Sequence, residues 1–361
     1  MAMLAHLSSF SSFLLVLVVF GTGCSGGPQV ADQQERLDRA TAYSAEKDGD
    51  ALLVWIDGTL VREDYQNGYS RGQRHILTEI SMLFPVLTLL ASSDEASDLN
   101  TPVSADLPAW STTQEKATIT WSELLHFTSG LAPMGVGSGD VPTFDEALGA
   151  PLVHAPGESF RFGPTAVQVL GAVMERSERI EQMKDRLFHP LNIAGGYWTP
   201  VTEGEEASSR RKELTPRLFD GAHLTPRELG RIGRLLLNDG RWHGEQVIEN
   251  VERLTEPTPA SPGFGLGVWL NVDLSTADSL SFWPHVPERI LLPRGQDHLI
   301  YDGAPADLFM AAGRYNQRLY VIPSRQMVVV RLGRANRTWS DVAFLARLLE
   351  GTSSNVDGAH L

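Results

Sequence analysis

Thr118–Leu131 reads TITWSELLHFTSGL, a short stretch that carries a full set of helix instructions. Thr120 has Glu123 three residues on, the spacing at which hydroxyl and carboxylate each satisfy a free backbone N–H at a helix start. Leu124, Leu125 and Phe127 supply an apolar side, and Gly130 suits the left-handed backbone that follows a helix. The instructions recur at Thr225, Pro226 and Glu228 ahead of Leu229–Asn238, with Gly240 as the stop. Upstream, Ala51–Ile56 and Thr59–Glu63 flank Asp57-Gly58, which supplies the two positive-φ residues of a tight hairpin turn. Pro28–Asp50 before the hairpin is polar, with Leu37, Ala40 and Tyr43 at helical spacing. An apolar stretch, Ile76–Ala91, and a Pro-, Ser- and Asp-rich connector to Trp110 follow.

Downstream, three strand-like runs, Phe264–Val272, Arg318–Ile322 and Gln326–Leu332, precede a helix over Ser340–Glu350. Val342, Leu345, Leu348 and Leu349 form its apolar face and Gly351 stops it. A helix and hairpin at one end, a helical middle, then strands and a helix predict one sheet assembled from both chain ends. That is an α+β pattern. The sheet is expected from 51–75 and 263–350 within a domain over 51–350, the helical part over about 76–262, and a disordered tail over 351–361.

The chain has 361 residues, with 30 Lys+Arg against 44 Asp+Glu and a net charge of −14. This acidic balance excludes a nucleic-acid footprint, which needs a basic stripe. Hydrophobic residues at 42% and charged ones at 20% place the chain among globular proteins. A single cysteine, Cys24, excludes an internal disulfide and a Cys-based zinc site. Ten His without an HxH, an HExxH or a close pair give no reason to expect a metal or other cofactor.

Phe10–Phe20, FSSFLLVLVVF, has nine apolar residues in eleven. It is too short to span a bilayer, which takes about 20 residues, and it suits the apolar core of a signal peptide. Small residues Gly21, Thr22 and Gly23 follow, then Cys24. Residues 1–23 are therefore read as a bacterial lipoprotein signal, Cys24 as the acylated residue, and 24–50 as anchor, linker and first helix. No Lys or Arg precedes the apolar run and Gly21 stands where such signals usually carry Leu, so an ordinary cleaved signal is the competing reading. Either route predicts an exported protein of the cell envelope, touching a membrane only through Cys24.

Together with APGESFRFGPTAVQVLGAVME (Ala155–Glu175), the opening stretch resembles the serine β-lactamase and penicillin-binding-protein-like family. Its class C-related branch of serine hydrolases, esterases and peptidases looks nearest. GAHLTPRELGRIGRLLLNDG (Gly221–Gly240), GFGLGVWLNV (Gly263–Val272) and AAGRYNQRLYVIPSRQMVVVRLG (Ala311–Gly333) match in the same order, from about residue 40 to 350. The resemblance implies a β-lactamase/transpeptidase-like fold: an antiparallel sheet packed by the N- and C-terminal helices, an all-helical subdomain, and a site in the cleft between them.

Family chemistry rests on three motifs, and none is intact here. The first is Ser-x-x-Lys at the start of a buried helix, where one turn sets the lysine beside a weak nucleophile. His75, Leu77 and Phe84 anchor the frame, placing Glu79 at the serine position and Met82 at the lysine position. A one-residue slip substitutes Thr78 and Ser81, and in either frame no Lys or Arg lies between Arg74 and Lys116. The second motif, Tyr-x-Asn, falls on Phe162 and Pro164 beside Gly163, which keeps a ring but removes the phenol's proton. The third, Lys-Thr-Gly or His-x-Gly on the edge strand, falls on Ala311, Ala312 and Gly313. Pro85 also lies within the expected helix, where it removes a hydrogen bond and crowds the carbonyl of Ser81. The helix is predicted to start late or to kink.

Losing a nucleophile or its base from such a unit costs on the order of 10⁶ in turnover. The resulting expectation is a pseudoenzyme whose cleft binds a peptide, a cell-wall fragment or a protein partner through Thr78, Ser81, Gly163, Pro164, Ala311 and Gly313. The alternative is an esterase, peptidase or β-lactamase with replaced chemistry, in which Glu79 is a general acid or base and Thr78 or Ser81 attacks. A third is a structural paralogue with no ligand. Two further Ser-x-x-Lys strings, Ser44 with Lys47 and Ser209 with Lys212, are read as coincidences in polar surroundings. His126 is read as a packed or surface residue, and Arg331 with Arg334 as a solvated strand end.

Overall fold

The computed structural model describes residues 28–91, 98–135, 139–177, 179–201, 215–275 and 299–351. The signal segment 1–23, Cys24, the pair Ser209 and Lys212, and the tail 352–361 lie outside the described residues.

Helix α1 (Pro28–Glu46) leads into strands β1 (Gly49–Ile56) and β2 (Thr59–Tyr65). Asp57 at φ 48° and Gly58 at φ 73° make the turn between the strands. The middle of the chain includes α2 (Leu83–Leu90), α3 (Trp121–Leu125), α4 (Pro164–Arg176) and α5 (Pro226–Leu237). Both anticipated capping boxes are formed, at Thr120/Glu123 and at Thr225/Glu228, although α3 stops at Leu125 and Gly130 lies beyond it. Strands β3 (Trp269–Leu270), β4 (Phe309–Gly313), β5 (Gln317–Ile322) and β6 (Met327–Gly333) precede α6 (Asp341–Leu349). The six strands form one antiparallel sheet in the order β2-β1-β6-β5-β4-β3, so the first strand pairs with the last.

Three expectations need correcting. The stretch up to residue 75 does not all join this sheet: His75–Ile76 pairs instead with Ala222–Leu224 in a small separate sheet. Only Trp269–Leu270 of the run Phe264–Val272 is a strand. And β4 is not the edge, because β3 pairs with Phe309 and Met310, leaving Ala311–Gly313 to run past its end.

Side chains alternate across the sheet and so choose their helix. On one face Leu319 and Val328 meet α5 where it has Gly233, and Trp55 meets it at Gly230. A Cβ at Gly230 would lie 2.1 Å from the Trp55 ring. On the other face Arg318 and Tyr320 reach Asp341 at the start of α6. Asp341 accepts from Arg318 Nε at 2.7 Å and Nη2 at 2.9 Å, and from the Tyr320 hydroxyl. Burial alone would raise the Asp341 carboxyl, but Arg318 outweighs burial and holds it below the ordinary carboxylate value. Burial pushes the Tyr320 phenol well up.

Arg331 is no solvated strand end. It is fully buried, sits 4.5 Å over the Trp339 ring, and donates to the carbonyls of Lys47, Tyr315 and Asn316. Burial and the neighbouring Arg318 lower its guanidinium to about 10. Arg334 does stay exposed, 3.4 Å from Asp50. Ser44 is likewise buried against Gly49 rather than in polar surroundings, while Lys47 pairs with Glu46 at 2.9 Å.

The β2 surface carries a pH-dependent brace. Arg227 of α5 grips Glu63 with two donors, at 2.6 and 2.5 Å, and the Tyr65 hydroxyl adds a third at 2.6 Å. The hydrogen bonds from Arg227, working against burial, bring Glu63 from its usual 4.5 to about 2. A depressed folded-state value means stabilisation that is present above pH 4.5 and is lost as pH falls toward 2. Urea unfolding across that window should show stability declining with acid, and Glu63→Gln should make the decline shallower. An unchanged slope would mean Glu63 is not the titrating group.

Candidate functional site

The site is built where the start of α2 meets the β4–β5 connection. Thr78–Met82 forms a 3₁₀ turn and the α-helix begins only at Leu83. Pro85 is then the third helical residue, in a first turn whose N–H groups have no intrahelical partner. The late start therefore accommodates the proline. Thr78 at the head of the turn has φ 51°, a left-handed backbone that a β-branched residue rarely adopts. Its hydroxyl lies 2.7 Å from the Leu77 carbonyl and 3.2 Å from that of Arg314. Gly313 makes this approach feasible, since a Cβ there would lie 2.1 Å from the Thr78 hydroxyl.

Glu79 projects onto Arg314. Its Oε2 accepts from the Arg314 backbone N–H at 2.7 Å, and its Oε1 lies 2.8 Å from Arg314 Nε. The second contact is an ion pair without a directed hydrogen bond, because Nε aims its hydrogen at no acceptor. The Arg314 guanidinium also donates to Asp220, which takes both Nε and Nη2 of Arg217 at 2.8 Å. Arg217 Nη2 goes on to the Gly139 carbonyl at 2.9 Å. Its hydrogen bonds to Asp220 raise the Arg217 guanidinium above its ordinary value. Glu79, Arg314, Asp220 and Arg217 thus form a chain of alternating charge that ties the 3₁₀ turn, the sheet and the turn before Ala222 together.

Ser81, the slipped-frame alternative, is buried. Its hydroxyl donates to the Thr78 carbonyl at 2.5 Å and accepts from the Ala222 N–H at 2.9 Å. Met82 faces a hollow of about 10 Å³, room for about one water, lined by Val86, Leu124, Phe127, Val167 and other apolar groups. Phe162 is partly buried in an aromatic cluster, with ring centroids 5.1 Å from Phe127, 5.4 Å from Phe219 and 5.5 Å from Trp269. Gly163 caps α4 in extended backbone and Pro164 opens the helix at its first position.

The structure brings Thr78, Glu79 and Gly313 together and sets Ser81 beneath them. Met82 and Phe162 lie on the apolar side, bridged by Phe127, and Ala311 is buried within β4. All six residues expected to line a binding cleft (Thr78, Ser81, Gly163, Pro164, Ala311 and Gly313) are buried, so they make the site's frame rather than an open lining. Sequence reading missed Arg314, Asp220 and Arg217. Arg314 was visible as the cation immediately after Gly313, whereas Asp220 had no local signal.

The Beta-lactamase family model matches residues 36–350. The chain belongs to the beta-lactamase family. No curated protein matches this beta-lactamase-family chain. Among solved structures, EstCE1, a hydrolase with promiscuous acyltransferase activity, is similar with a TM-score of 0.64 at 17% identity, over 88% of this chain and 98% of that one. A penicillin-binding protein homologue from Caulobacter crescentus is similar with a TM-score of 0.61 at 14% identity, over 88% and 96%. At such identities the likeness establishes the β-lactamase/transpeptidase-like fold. His126, elsewhere in this beta-lactamase fold, is buried with Nδ1 2.8 Å from the Ser122 carbonyl and Nε2 2.9 Å from that of Glu256. It is a packed tether between α3 and the 251–256 segment.

Proposed function

We propose that this beta-lactamase-family chain is an exported, non-catalytic binding protein that keeps the family cleft to hold a peptide, a cell-wall fragment or a protein partner. One observation carries the reading: the side chain at the family's nucleophile position, Glu79, is itself held by the Arg314 amide and guanidinium. A carboxylate so engaged is a structural group in an ion chain. The flanking positions support the reading, because Met82 and Phe162 have no exchangeable proton and pack among apolar side chains. The replaced-chemistry alternative is weakened by the Ser81 and Thr78 hydroxyls, both spent on backbone carbonyls. Envelope placement follows from the reading of residues 1–23 and Cys24.

The test is intact mass. The chain from Ser25 onward, incubated with a penicillin and separately with a p-nitrophenyl ester, should keep its unmodified mass. A stoichiometric adduct mapping to Thr78 or Ser81 would overturn the proposal and revive the enzyme.

A further inference from the structure

We propose that Arg231 and Arg234, on the outer face of α5, form a binding site for a phosphate group. The helix contributes no residue to the Glu79 chain, so this second site stands apart from the cleft and from the reading of it above.

Helix α5 packs on the sheet through Gly230 and Gly233, and of its residues only Arg227, Arg231, Arg234 and Leu237 are not buried. Steps of four and three residues put the three arginines in one stripe, with neighbouring Cβ atoms about 5–6 Å apart. Arg227 is neutralised by Glu63. The other two are not. Among the described residues neither Arg231 nor Arg234 forms an ion pair with a carboxylate, although the chain as a whole has a net charge of −14.

What holds the two guanidinium groups is neutral. Arg231 Nη1 donates to the carbonyls of Leu191 at 3.2 Å and Asn192 at 2.5 Å. The Arg234 guanidinium lies 5.0 Å over the Trp242 ring, and its buried Nε has no hydrogen-bond partner. Burial first, and the charge of Arg231 second, lower the Arg234 guanidinium below its ordinary value. Two cations are thus fixed side by side and partly withdrawn from water, with no anion set between them. An anion bound there offsets both the repulsion and the desolvation, and the donors are held in place before it arrives.

The donors left over define the ligand. Arg231 keeps Nε and Nη2, the edge that grips an anion with two parallel hydrogen bonds, and Arg234 keeps Nη1 and Nη2. A carboxylate has two oxygens and fills one such fork. A phosphate group has more and fills both, so the pair fits phosphate better than carboxylate.

Inorganic phosphate is the first probe, added to the full chain. Phosphate strengthens burial in any protein through its exclusion from the surface, so the readout is the saturable part of the rise in thermal midpoint. Its apparent affinity should fall at least about tenfold in Arg234→Gln, and the saturable part should vanish in Arg231→Gln/Arg234→Gln. A saturable response that survives the double substitution, or none in the unsubstituted chain, would overturn the proposal. Should the double variant fail to fold, the Nε–H resonance of Arg231 in the ¹⁵N-labelled unsubstituted chain gives the readout. It should move saturably with phosphate and stay still with sodium acetate at equal ionic strength. Equal movement with acetate would overturn the assignment to phosphate. Two further probes separate the sources. Binding of glycerol 3-phosphate that Arg234→Gln weakens assigns a soluble phosphate ester. Sedimentation with phosphatidylglycerol vesicles over phosphatidylcholine ones, weakened by the same substitution, assigns a lipid headgroup. Failure of both leaves inorganic phosphate itself as the ligand.

Discussion

Asp341→Ala is expected to lower the unfolding free energy by about 3–5 kcal/mol, the cost of breaking a buried ion pair by removing one partner. Arg318 is about 1% exposed and Asp341 about 6%, so the orphaned guanidinium could not turn to water. Its remaining acceptors, the Gly313 carbonyl at 3.1 Å and the Gln317 carbonyl at 2.9 Å, are neutral. Replacing both partners with apolar residues, Arg318→Met with Asp341→Leu, should recover most of the loss, since neither member of the pair is then left as a buried charge without its partner. Chemical denaturation of the two variants beside the unsubstituted chain decides it. A loss below about 1 kcal/mol for Asp341→Ala would mean that Arg318 relocates, contrary to its enclosed position. The pair also bears on the site, because Arg318 holds the carbonyl of Gly313, the residue pressed against Thr78.

The second large effect concerns chemistry. Glu79→Ser alone should give no measurable acylation, although in the frame anchored by His75, Leu77 and Phe84 it restores the family's nucleophile. Serine needs a neighbouring base, and loss of either member of such a unit costs about as much as loss of both. In the frame that puts Glu79 at the serine position the base position falls on Met82, enclosed by leucines, two valines and Phe127. Met82→Lys alone would put an unpaired ammonium in that apolar hollow and should destabilise the fold. Only the triple variant Glu79→Ser/Met82→Lys/Phe162→Tyr offers the lysine a phenol and a hydroxyl as partners. It should raise p-nitrophenyl ester hydrolysis at least about 10²-fold over the parent, the lower end of what a positioned base supplies. Acylation by the single serine variant would sink this account and point to a base elsewhere in the cleft.

Where the chain was legible, the signal was local. Asp57-Gly58 turned the hairpin, and the Thr-x-x-Glu strings at Thr120 and Thr225 each started a helix. The same string at Thr143 and Glu146 starts the short helix Phe144–Gly149, which the reading passed over. Strand β4, Phe309–Gly313, is buried along its whole length and so lacks the polar alternation that marks a half-exposed strand. Phe264–Val272 looked like a strand from its apolar residues, but the backbone bonds Gly265 to Val268 and Leu266 to Leu254, leaving two residues to pair. The charge chain is the extreme case. Glu79 and Arg314 are 235 positions apart, and Arg314 and Asp220 are 94 apart. No periodicity or spacing joins residues so distant, so the ion pairs around Glu79 could not be read from the sequence.

The pairing of β1 with β6 sets an order on synthesis. Leu53 finds Val330 across the sheet, and α1 is fastened to the far end of the chain by Arg39 on the Glu350 carbonyl at 2.6 Å. A growing polypeptide released residue by residue holds its first hairpin for almost the whole of translation with one flank unpaired. The sheet closes only when the last strand emerges. Under the export proposed above, this delay would be useful: a polypeptide that cannot complete its sheet until its end is made stays threadable through a narrow channel for as long as it is being produced.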